Sequence, residues 1–276
     1  MNRRIKILFI RPHIASFIQK DLEILQKYFD VRVIDFTLNI KKRPIDSLKT
    51  IIKMLGGVLW ADVTFSWFAD LHAYIAVLLS KIFKKKSIVI ASGYSVANMP
   101  EINYGIMVVP KLARRVKFAL RNADVVLAVS KFNKEEILKH TDPKKVVLIY
   151  HGIDSNKFKS THIRKENLVI TVGYVTYSNL KRKGLETFVK SARYLPDIEF
   201  MLIGPQVDNS IDYLKSIATS NVKFTGFVSD DELLKYYQRA KVYVQVSAHE
   251  GFGMSLAEAM ACECVPVVTY RGAIPE

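Results

Sequence analysis

Short apolar runs alternate with amphipathic segments along the whole chain, and this pattern starts twice. In the first half, apolar runs typical of buried strands are separated by segments with helical apolar spacing, such as Phe17–Phe29. After a polar stretch that ends near Asn167, the same order begins again. Strands that alternate with helices are typical of a parallel sheet covered on both faces. The pattern therefore predicts an α/β protein of two doubly wound, Rossmann-like domains, residues 1–155 and 156–276.

The bounds of the predicted elements follow from where each apolar run begins and ends. The predicted strands are Ile5–Ile10, Val31–Phe36, Val63–Trp67, Ser87–Ala91, Val125–Val129, Val146–Tyr150, Leu168–Val172, Glu199–Ile203, Val222–Phe224, Val242–Val246 and Val265–Thr269. The predicted helices are Phe17–Phe29, Leu71–Phe83, Pro110–Arg121, Lys134–His140, Leu185–Tyr194, Ile211–Ser220 and Asp230–Arg239, with one more after Gly253. Neither half contains a GxGxxG fingerprint, which argues against dinucleotide binding of the usual kind.

Composition narrows the class of protein. Half of the 276 residues are hydrophobic, enough for two domains with sizeable cores. The N-terminal apolar run is too short for a secretion signal, and the stretch from Ala73 to Phe83 is too short to span a membrane. Cys262 and Cys264 are the only cysteines, and their spacing suits neither a disulfide nor a metal set. We therefore expect reduced thiols, no metal or other cofactor, and a cytoplasmic location.

The net charge of +15 is concentrated in the first half of the chain. Residues 1–150 carry 26 Lys and Arg against 12 Asp and Glu, whereas residues 151–276 carry 15 against 14. The basic residues cluster at Lys41–Arg43, at Lys84–Lys86, and at Arg114, Arg115, Lys117 and Arg121. This asymmetry indicates an anionic partner for the first domain, such as a membrane surface, and a solvated basic face is the alternative. No base-reading motif supports binding of nucleic acid.

The segment EGFGMSLAEAMA, from Glu250 to Ala261, carries the strongest chemical signal. It holds two carboxylates, Glu250 and Glu258, with seven residues between them, and it lies between two predicted strands. Gly251 and Gly253 let the backbone approach a ligand, and the N–H groups of a helix start suit a diphosphate. Each carboxylate can accept hydrogen bonds from vicinal hydroxyls. These features fit a nucleotide sugar at the carboxyl edge of a parallel sheet.

A structural interpretation of the same segment stays open at this point. Ser255 and Glu258 have the spacing of a capping box, in which Ser255 caps the helix and Glu258 reaches back to it. Gly251 and Gly253 would then shape a turn and nothing more.

The segment resembles the Glu-x7-Glu signature of the retaining glycosyltransferases of family 4, which have the GT-B fold. Further stretches resemble motifs of that family: Ala123–Ser130, His151–Asp154 and Arg182–Gly184. The resemblance implies two Rossmann-like domains facing across a cleft, the first for the acceptor and the second for the nucleotide sugar. Relative to most family members, the chain is short at its C terminus.

The resemblance also implies roles for single residues in the second domain. Glu250 lies by the transferred sugar, and Glu258 binds the ribose hydroxyls. The loop and helix start between them, Phe252, Met254 and Ser255 with the two glycines, surround the phosphate and sugar.

A pair of cations holds the donor diphosphate in that family, one of them just after a strand-ending glycine. In this chain Lys183 matches one cation, but Tyr174, which follows Gly173, stands where the family has Arg. Lys181 or Arg182 is expected to supply the missing charge. Fixed cations near a departing diphosphate lower the barrier to its departure. The alternative is an ordinary basic helix start, which the helix dipole opposes.

The acceptor side of the first domain matches the family less well. Arg11, His13 and Ser16 lie in the first βα loop, where many relatives carry a Gly-Gly pair that is absent here. Gly93 and Tyr94 follow another strand, where relatives often place a catalytic-side His or Asp. The sequence therefore identifies no base that would activate the acceptor.

The sequence predicts a retaining, hexosyl-type glycosyltransferase that needs no metal and works in the cytoplasm, peripheral to a membrane. It would move a sugar from a nucleotide sugar to a glycan or a lipid-linked acceptor. The alternative is a truncated, catalytically weak GT-B scaffold that binds a membrane surface or a polyanion. A sugar-nucleotide epimerase of the same fold is disfavoured by the Glu-x7-Glu helix and the Lys183-Gly184 pair.

Overall fold

A computed structural model describes residues 3–38, 44–161 and 164–276. The predicted basic cluster Lys41–Arg43 lies outside the described residues. The chain divides into two compact units. The first consists of Met1–Met99 and Gly105–Tyr150, and the second of Pro100–Tyr104 and His151–Glu276.

The described part of the first unit is built on a six-stranded parallel sheet. Its strands are β1 (Lys6–Arg11), β2 (Asp30–Asp35), β3 (Val63–Trp67), β4 (Lys86–Ile90), β5 (Val125–Ala128) and β6 (Val146–Leu148). Its helices are α1 (Ser16–Tyr28), α2 (Pro44–Trp60), α3 (Leu71–Ile82), α4 (Gly93–Val96), α5 (Pro110–Asn122) and α6 (Lys131–Leu138). The strand order is β2-β1-β3-β4-β5-β6, so the winding reverses between β1 and β3.

Helices cover both faces of this sheet, and each face has its own apolar core. On one face, Leu8 and Ile10 of β1 pack with Met54 and Val58 of α2. The other core lies under α3 and α5 and includes Val89, Val116, Leu120 and Val126. Strands buried on both faces are continuous apolar runs, which is why they are easy to find in the sequence.

The described part of the second unit has a five-stranded parallel sheet. Its strands are β7 (Glu166–Val172), β8 (Glu199–Ile203), β9 (Val222–Gly226), β10 (Ala240–Gln245) and β11 (Val265–Val268). Its helices are α7 (Tyr177–Arg182), α8 (Leu185–Ser191), α9 (Ser210–Ile217), α10 (Asp230–Arg239) and α11 (Met254–Ala261). The strand order is β11-β10-β7-β8-β9, so here the winding reverses between β7 and β10.

Alternate residues of these strands face opposite cores. Val169 and Leu202 pack with Phe188 of α8 on one face. Ile170 and Met201, together with Tyr237 of α10 and Leu256 and Ala259 of α11, pack on the other face. The second core brings α10 and α11 side by side, which matters for the candidate site.

The structure contains every predicted strand and differs from the prediction mainly in helices α2 and α7 and in the one-turn helix α4. Val63–Trp67, Glu199–Ile203 and Asp230–Arg239 coincide with their predicted bounds, and the other ends shift by a few residues. Helix α2 was not predicted, because apolar residues occupy its outer face as well as its inner face. Helix α7 was predicted as a loop because its sequence, YSNLKR, is short and mostly polar.

Candidate functional site

The loops that follow β7 and β10 are neighbours in space, because these two strands pair in parallel. Both loops leave the carboxyl edge of the sheet at the point where the winding reverses. Ligands of open α/β sheets bind at this kind of crevice. The Lys183-Gly184 pair and the segment from Glu250 to Glu258 are therefore brought to one place.

Glycines shape the loop that follows β7. A Cβ atom at Gly173 would lie 3.0 Å from Cδ of Lys183, so the bare backbone there leaves room for the lysine side chain. After α7, Gly184 adopts a φ of 69°, in the left-handed region that favours glycine. A Cβ on Gly184 would run into the carbonyl oxygen of Val246 in the loop after β10. The absence of a side chain at Gly184 thus lets the two loops touch.

A backbone hydrogen bond also joins the two loops. The N–H of Ala248 donates to the carbonyl of Arg182 at 2.7 Å. Since Arg182 ends α7, this bond fixes the end of that helix against the approach to Glu250.

Glu250 is held from several sides. One of its carboxylate oxygens, Oε2, lies 3.4 Å from Nζ of Lys183 and accepts a hydrogen bond from Nε2 of Gln245 at 3.1 Å. Its carbonyl accepts from the N–H of Ala273 at 2.9 Å, and Gly272 packs closely on its backbone. Burial by itself would raise the pKa of Glu250, but the charges of Lys183 and Arg182 outweigh that effect and the pKa is lowered. Glu250 is therefore an ionised, mostly buried carboxylate beside a cation.

Polar side chains connect Glu250 to the interior of the second core. The Tyr243 hydroxyl donates to Oε1 of Gln245 at 3.2 Å, and both side chains are buried. Burial raises the pKa of both Tyr237 and Tyr243, and the nearby Ser255 side chain opposes that rise. Sequence reasoning missed Gln245 and the two tyrosines. The signal for Gln245 was available, because it is a polar residue inside an otherwise apolar strand.

Glu258 sits at the other end of this network. It is partly buried on α11, and its Oε2 accepts a hydrogen bond from the Tyr237 hydroxyl at 3.0 Å. Burial raises the pKa of Glu258 to about 7, although the Tyr237 bond acts in the opposite direction. The two glutamates of the motif thus have opposite pKa shifts. Environments that separate the pKa values of paired carboxyls commonly give them different roles.

The start of α11 tests the capping-box interpretation of the motif. The helix begins at Met254, after Gly253 with a φ of 100°, and no side chain caps it. Ser255 lies inside the helix, so the capping-box interpretation is wrong. The first N–H groups of a helix have no acceptor within it, and they are therefore suited to an anion. Phe252, just before the helix, contacts the ring of His151 edge-on at 5.1 Å between ring centroids.

Arg182 is the better candidate for the charge that Tyr174 does not supply. Its side chain is buried, its Nε donates to Asn179 at 2.9 Å, and its guanidinium lies 4.7 Å from the centre of the Tyr104 ring. Its charge contributes to the lowered pKa of Glu250. Lys181, by contrast, is exposed.

The candidate acceptor residues lie in the first unit, along one edge of its sheet. Arg11 is buried at the end of β1, where Nε is 2.6 Å from Asp35 and Nη1 donates to Gln19 at 2.9 Å. His13 is exposed and stacks on Phe68, with ring centroids 5.4 Å apart. Since the Arg11 guanidinium already contacts Asp35 and Gln19, it holds the first βα loop in place as well as being a candidate cation for the acceptor.

The other three acceptor candidates are spread over two loops. Ser16 is exposed at the first turn of α1. Gly93 is buried at the start of the short helix α4, while Tyr94 is about half exposed. Strand β3 separates the loop after β1 from the loop after β4.

The described residues offer neither a cluster of metal-binding side chains nor a membrane-spanning helix. No group of three or more His, Cys, Asp or Glu side chains within 3–38, 44–161 and 164–276 could hold a metal ion. None of the helices in those ranges is both long and apolar enough to cross a bilayer.

Comparison with protein families and curated proteins gives consistent matches. The family model described as Glycosyl transferases group 1 matches residues 152–276. An uncharacterized glycosyltransferase of Methanocaldococcus jannaschii is 31% identical over 173 residues, which are 55% of this chain and 43% of that protein. The serotype-specific mannosyltransferase WbdA of Escherichia coli is 22% identical over 179 residues, 56% of this chain and 22% of that protein. The chain thus spans less than half the length of these curated relatives.

Solved structures resemble nearly the whole chain. The HepE protein of Anabaena, in complex with UDP, has a TM-score of 0.70 and 18% identity, and the match covers 98% of this chain and 82% of that one. Sucrose-phosphate synthase of Thermosynechococcus elongatus has a TM-score of 0.77 and 16% identity, with the same coverage. At such low identity these likenesses show the fold alone. The predicted fold class, GT-B, is confirmed.

Proposed function

Because residues 152–276 match the family model described as Glycosyl transferases group 1, we propose that this protein is a retaining, hexosyl-type glycosyltransferase. It takes a sugar from a nucleotide-sugar donor and passes it to a glycan or a lipid-linked acceptor. One relative, from Campylobacter jejuni, is named for transfer to a diphospho-undecaprenol glycan, which supports an acceptor of this class. Solved neighbours in complex with UDP or ADP support the donor class.

The observation that carries the proposal is the meeting of two loops at the reversal between β7 and β10. Lys183, the carboxylate of Glu250 and the start of α11 converge there. When the bond between the sugar and the diphosphate breaks, negative charge grows on the leaving phosphate. A nearby ammonium and helix N–H groups stabilise that charge without rearrangement. Arg182 adds a second positive charge close to the same place.

Glu258 is proposed to bind the ribose of the donor nucleotide. Its carboxylate lies on the helix whose first turn would face the diphosphate, so the ribose next to that diphosphate falls within its reach. As an ionised group it can accept hydrogen bonds from both ribose hydroxyls. Tyr237 holds one of its oxygens in place.

Glu250 is proposed to lie by the transferred sugar. Its ionised state, enforced by Lys183, suits it to accept hydrogen bonds from sugar hydroxyls and to stabilise positive charge at the anomeric carbon. The acceptor oxygen would bond to that carbon as the diphosphate leaves, and its proton would pass to the leaving phosphate. This route needs neither a metal nor a separate protein base.

The location is proposed on two grounds. The first half of the chain carries the excess of positive charge, which suits the anionic cytosolic face of a membrane where lipid-linked acceptors reside. Cys262 and Cys264 are both buried and not joined by a disulfide, as is usual for cytoplasmic proteins. The protein is therefore proposed to act in the cytoplasm, at the periphery of a membrane.

The experiment that tests the donor site is a binding comparison with matched ligands and variants. Calorimetric titration with UDP, GDP and ADP should find one nucleotide that binds. The 2′-deoxy form of that nucleotide should bind the wild type roughly tenfold or more weakly, since a hydrogen bond to a charged group contributes about 1.5–3 kcal/mol. In Glu258→Gln the preference for the ribose form should largely disappear, while the exposed Glu263→Gln control should keep it.

Two results would overturn this assignment. If Glu258→Gln kept the full preference for the ribose nucleotide, Glu258 would not bind the ribose. If none of the nucleotides bound, the chain would not be a working transferase, and a binding scaffold would replace it as the function. Retention is tested separately, by following with NMR the anomer first released during slow hydrolysis of the donor.

A further inference from the structure

Helix α2 presents an apolar outer face. Five large aliphatic side chains recur at alternating three- and four-residue intervals along it, and a sixth lies beside them. They are Ile45, Leu48, Ile51, Ile52, Leu55 and Leu59, and between 38% and 68% of each is exposed. The stripe they form, called here the α2 stripe, runs about 21 Å along the helix from Ile45 to Leu59.

The α2 stripe is not the face with which the helix binds its own unit. Met54 and Val58 point the other way and are fully buried against Leu8 and Ile10 of β1. The helix is therefore anchored by one apolar face and displays a second one. A surface helix with a single partner normally has a polar outer face, so the second apolar face calls for another partner.

Basic side chains border the α2 stripe. Lys49 and Lys53 are exposed beside it on the same helix, which carries one acidic residue, Asp46. At its C-terminal end, Arg32 and Lys6 lie 4.0 Å and 5.4 Å from the centre of the Trp60 ring.

Trp60 is half buried and lies among these basic side chains at the C-terminal end of the stripe.

The size and charge of the α2 stripe distinguish its partners. Its exposed apolar area is on the order of 500 Å², whereas a stable protein interface buries roughly 800 Å² on each partner. A second copy would also place Lys49 and Lys53 near their own counterparts and repel them. A bilayer with anionic head groups accepts an apolar helix face at the depth of its acyl boundary and attracts the lysines and arginines around it.

We infer that the α2 stripe and its basic border dock this protein on an anionic lipid surface, with α2 lying in the plane of the interface. Trp60 is then placed at the head-group level, where aromatic rings with a polar edge are favoured. The helix is too short to span the bilayer and binds reversibly. This inference rests on the membrane location proposed above and names the surface that would serve it. It concerns α2 alone and needs no bound nucleotide, so it can be tested apart from the donor site.

The test is flotation of the full chain with vesicles of phosphatidylcholine, with and without phosphatidylglycerol. Wild type should float with the phosphatidylglycerol vesicles and be partly released by high salt, because salt screens the lysine contribution. The double variant Leu48→Gln with Ile52→Gln should lose roughly tenfold or more of that binding. Glutamine suits an exposed helix position, so the unfolding temperature should not fall.

Two further variants complete the design. Tyr194→Gln with Phe227→Gln removes two exposed apolar side chains from the second unit and should float like the wild type. Ile52→Trp keeps the stripe apolar, and its added tryptophan fluorescence should shift to the blue on phosphatidylglycerol vesicles.

Three results would overturn the inference. Equal flotation of the α2 variant, the control variant and the wild type would do so. The same holds if the tryptophan fluorescence maximum of Ile52→Trp does not change when phosphatidylglycerol vesicles are added. So would a dimer seen by sedimentation without lipid that Leu48→Gln with Ile52→Gln abolishes, because it would assign the stripe to a second copy. Nucleotide titration of the same variant separates either failure from a failure of the donor site.

Discussion

Replacing Glu258 with Gln should stabilise the folded protein above neutral pH, even though it removes a residue of the proposed donor site. Burial raises the pKa of Glu258 from 4.5 to about 7, so the folded chain holds this proton more tightly than the unfolded chain does. Such a group favours folding fully below its unfolded pKa, and this contribution is lost as the pH rises to the folded pKa. One pKa unit corresponds to about 1.4 kcal/mol, so the shift is worth about 3 kcal/mol.

Glutamine carries no charge at any pH and keeps an oxygen that can accept from the Tyr237 hydroxyl. The free energies of unfolding of wild type and Glu258→Gln should therefore be similar near pH 4.5 and diverge up to pH 7. Above pH 7 the variant should be more stable by about 3 kcal/mol, and the transition of the second unit should shift upward by roughly 10 °C.

Differential scanning calorimetry over this pH range measures the difference. Glu263→Gln is the matched control, because Glu263 follows the same helix but is exposed. Its stability curve should run parallel to that of the wild type. Parallel curves for Glu258→Gln as well would show that Glu258 has no raised pKa, and would refute the idea that this carboxyl is buried at a cost to stability.

Three further predictions concern the packing around the site. Lys183→Met should leave Glu250 buried without its cation and lower stability by about 2–3 kcal/mol in urea unfolding; an unchanged midpoint would contradict the ion pair. Gly184→Ala should lower the free energy of unfolding by about 2 kcal/mol or more, because the φ of Gly184 is positive and a Cβ would clash with the backbone of the loop after β10. In the control Gly152→Ala the new Cβ meets open space, so the free energy of unfolding should hardly change. Gln245→Leu should lower the free energy of unfolding by about 1–3 kcal/mol, since the buried phenol of Tyr243 and the carboxylate of Glu250 each lose a hydrogen-bond partner. A gain in stability would refute this network.

The fold was predictable because most of its elements are locally consistent. Parallel strands such as Val63–Trp67 and Glu199–Ile203 are buried on both faces and appear as continuous apolar runs. The start of helix α10 is predictable because Ser229 and Glu232 form a capping box there. Helix α2 was not predictable by the same rules. Because it is apolar on its outer face as well as its inner face, its sequence lacks the apolar-polar periodicity of an amphipathic helix.

The candidate site was predictable only in part. Glu250, Glu258 and Lys183 could be named because they belong to motifs with fixed spacing. The contacts of Gln245 and Tyr237 could not, because they depend on which helix packs beside which strand. Their roles, and those of all the predicted site residues, stay predictions until a ligand is tested.

The hold on Glu250 has a consequence for folding. Lys183 follows β7, Gln245 ends β10 and Ala273 follows β11, and each of them contacts Glu250. Contacts between segments far apart in the chain are slow to form, since the intervening loops must be closed first. The environment of Glu250 is therefore complete only when β7, β10 and β11 are all in place. During refolding, nucleotide binding should appear with the last kinetic phase of the second unit, whereas helical signal should return earlier.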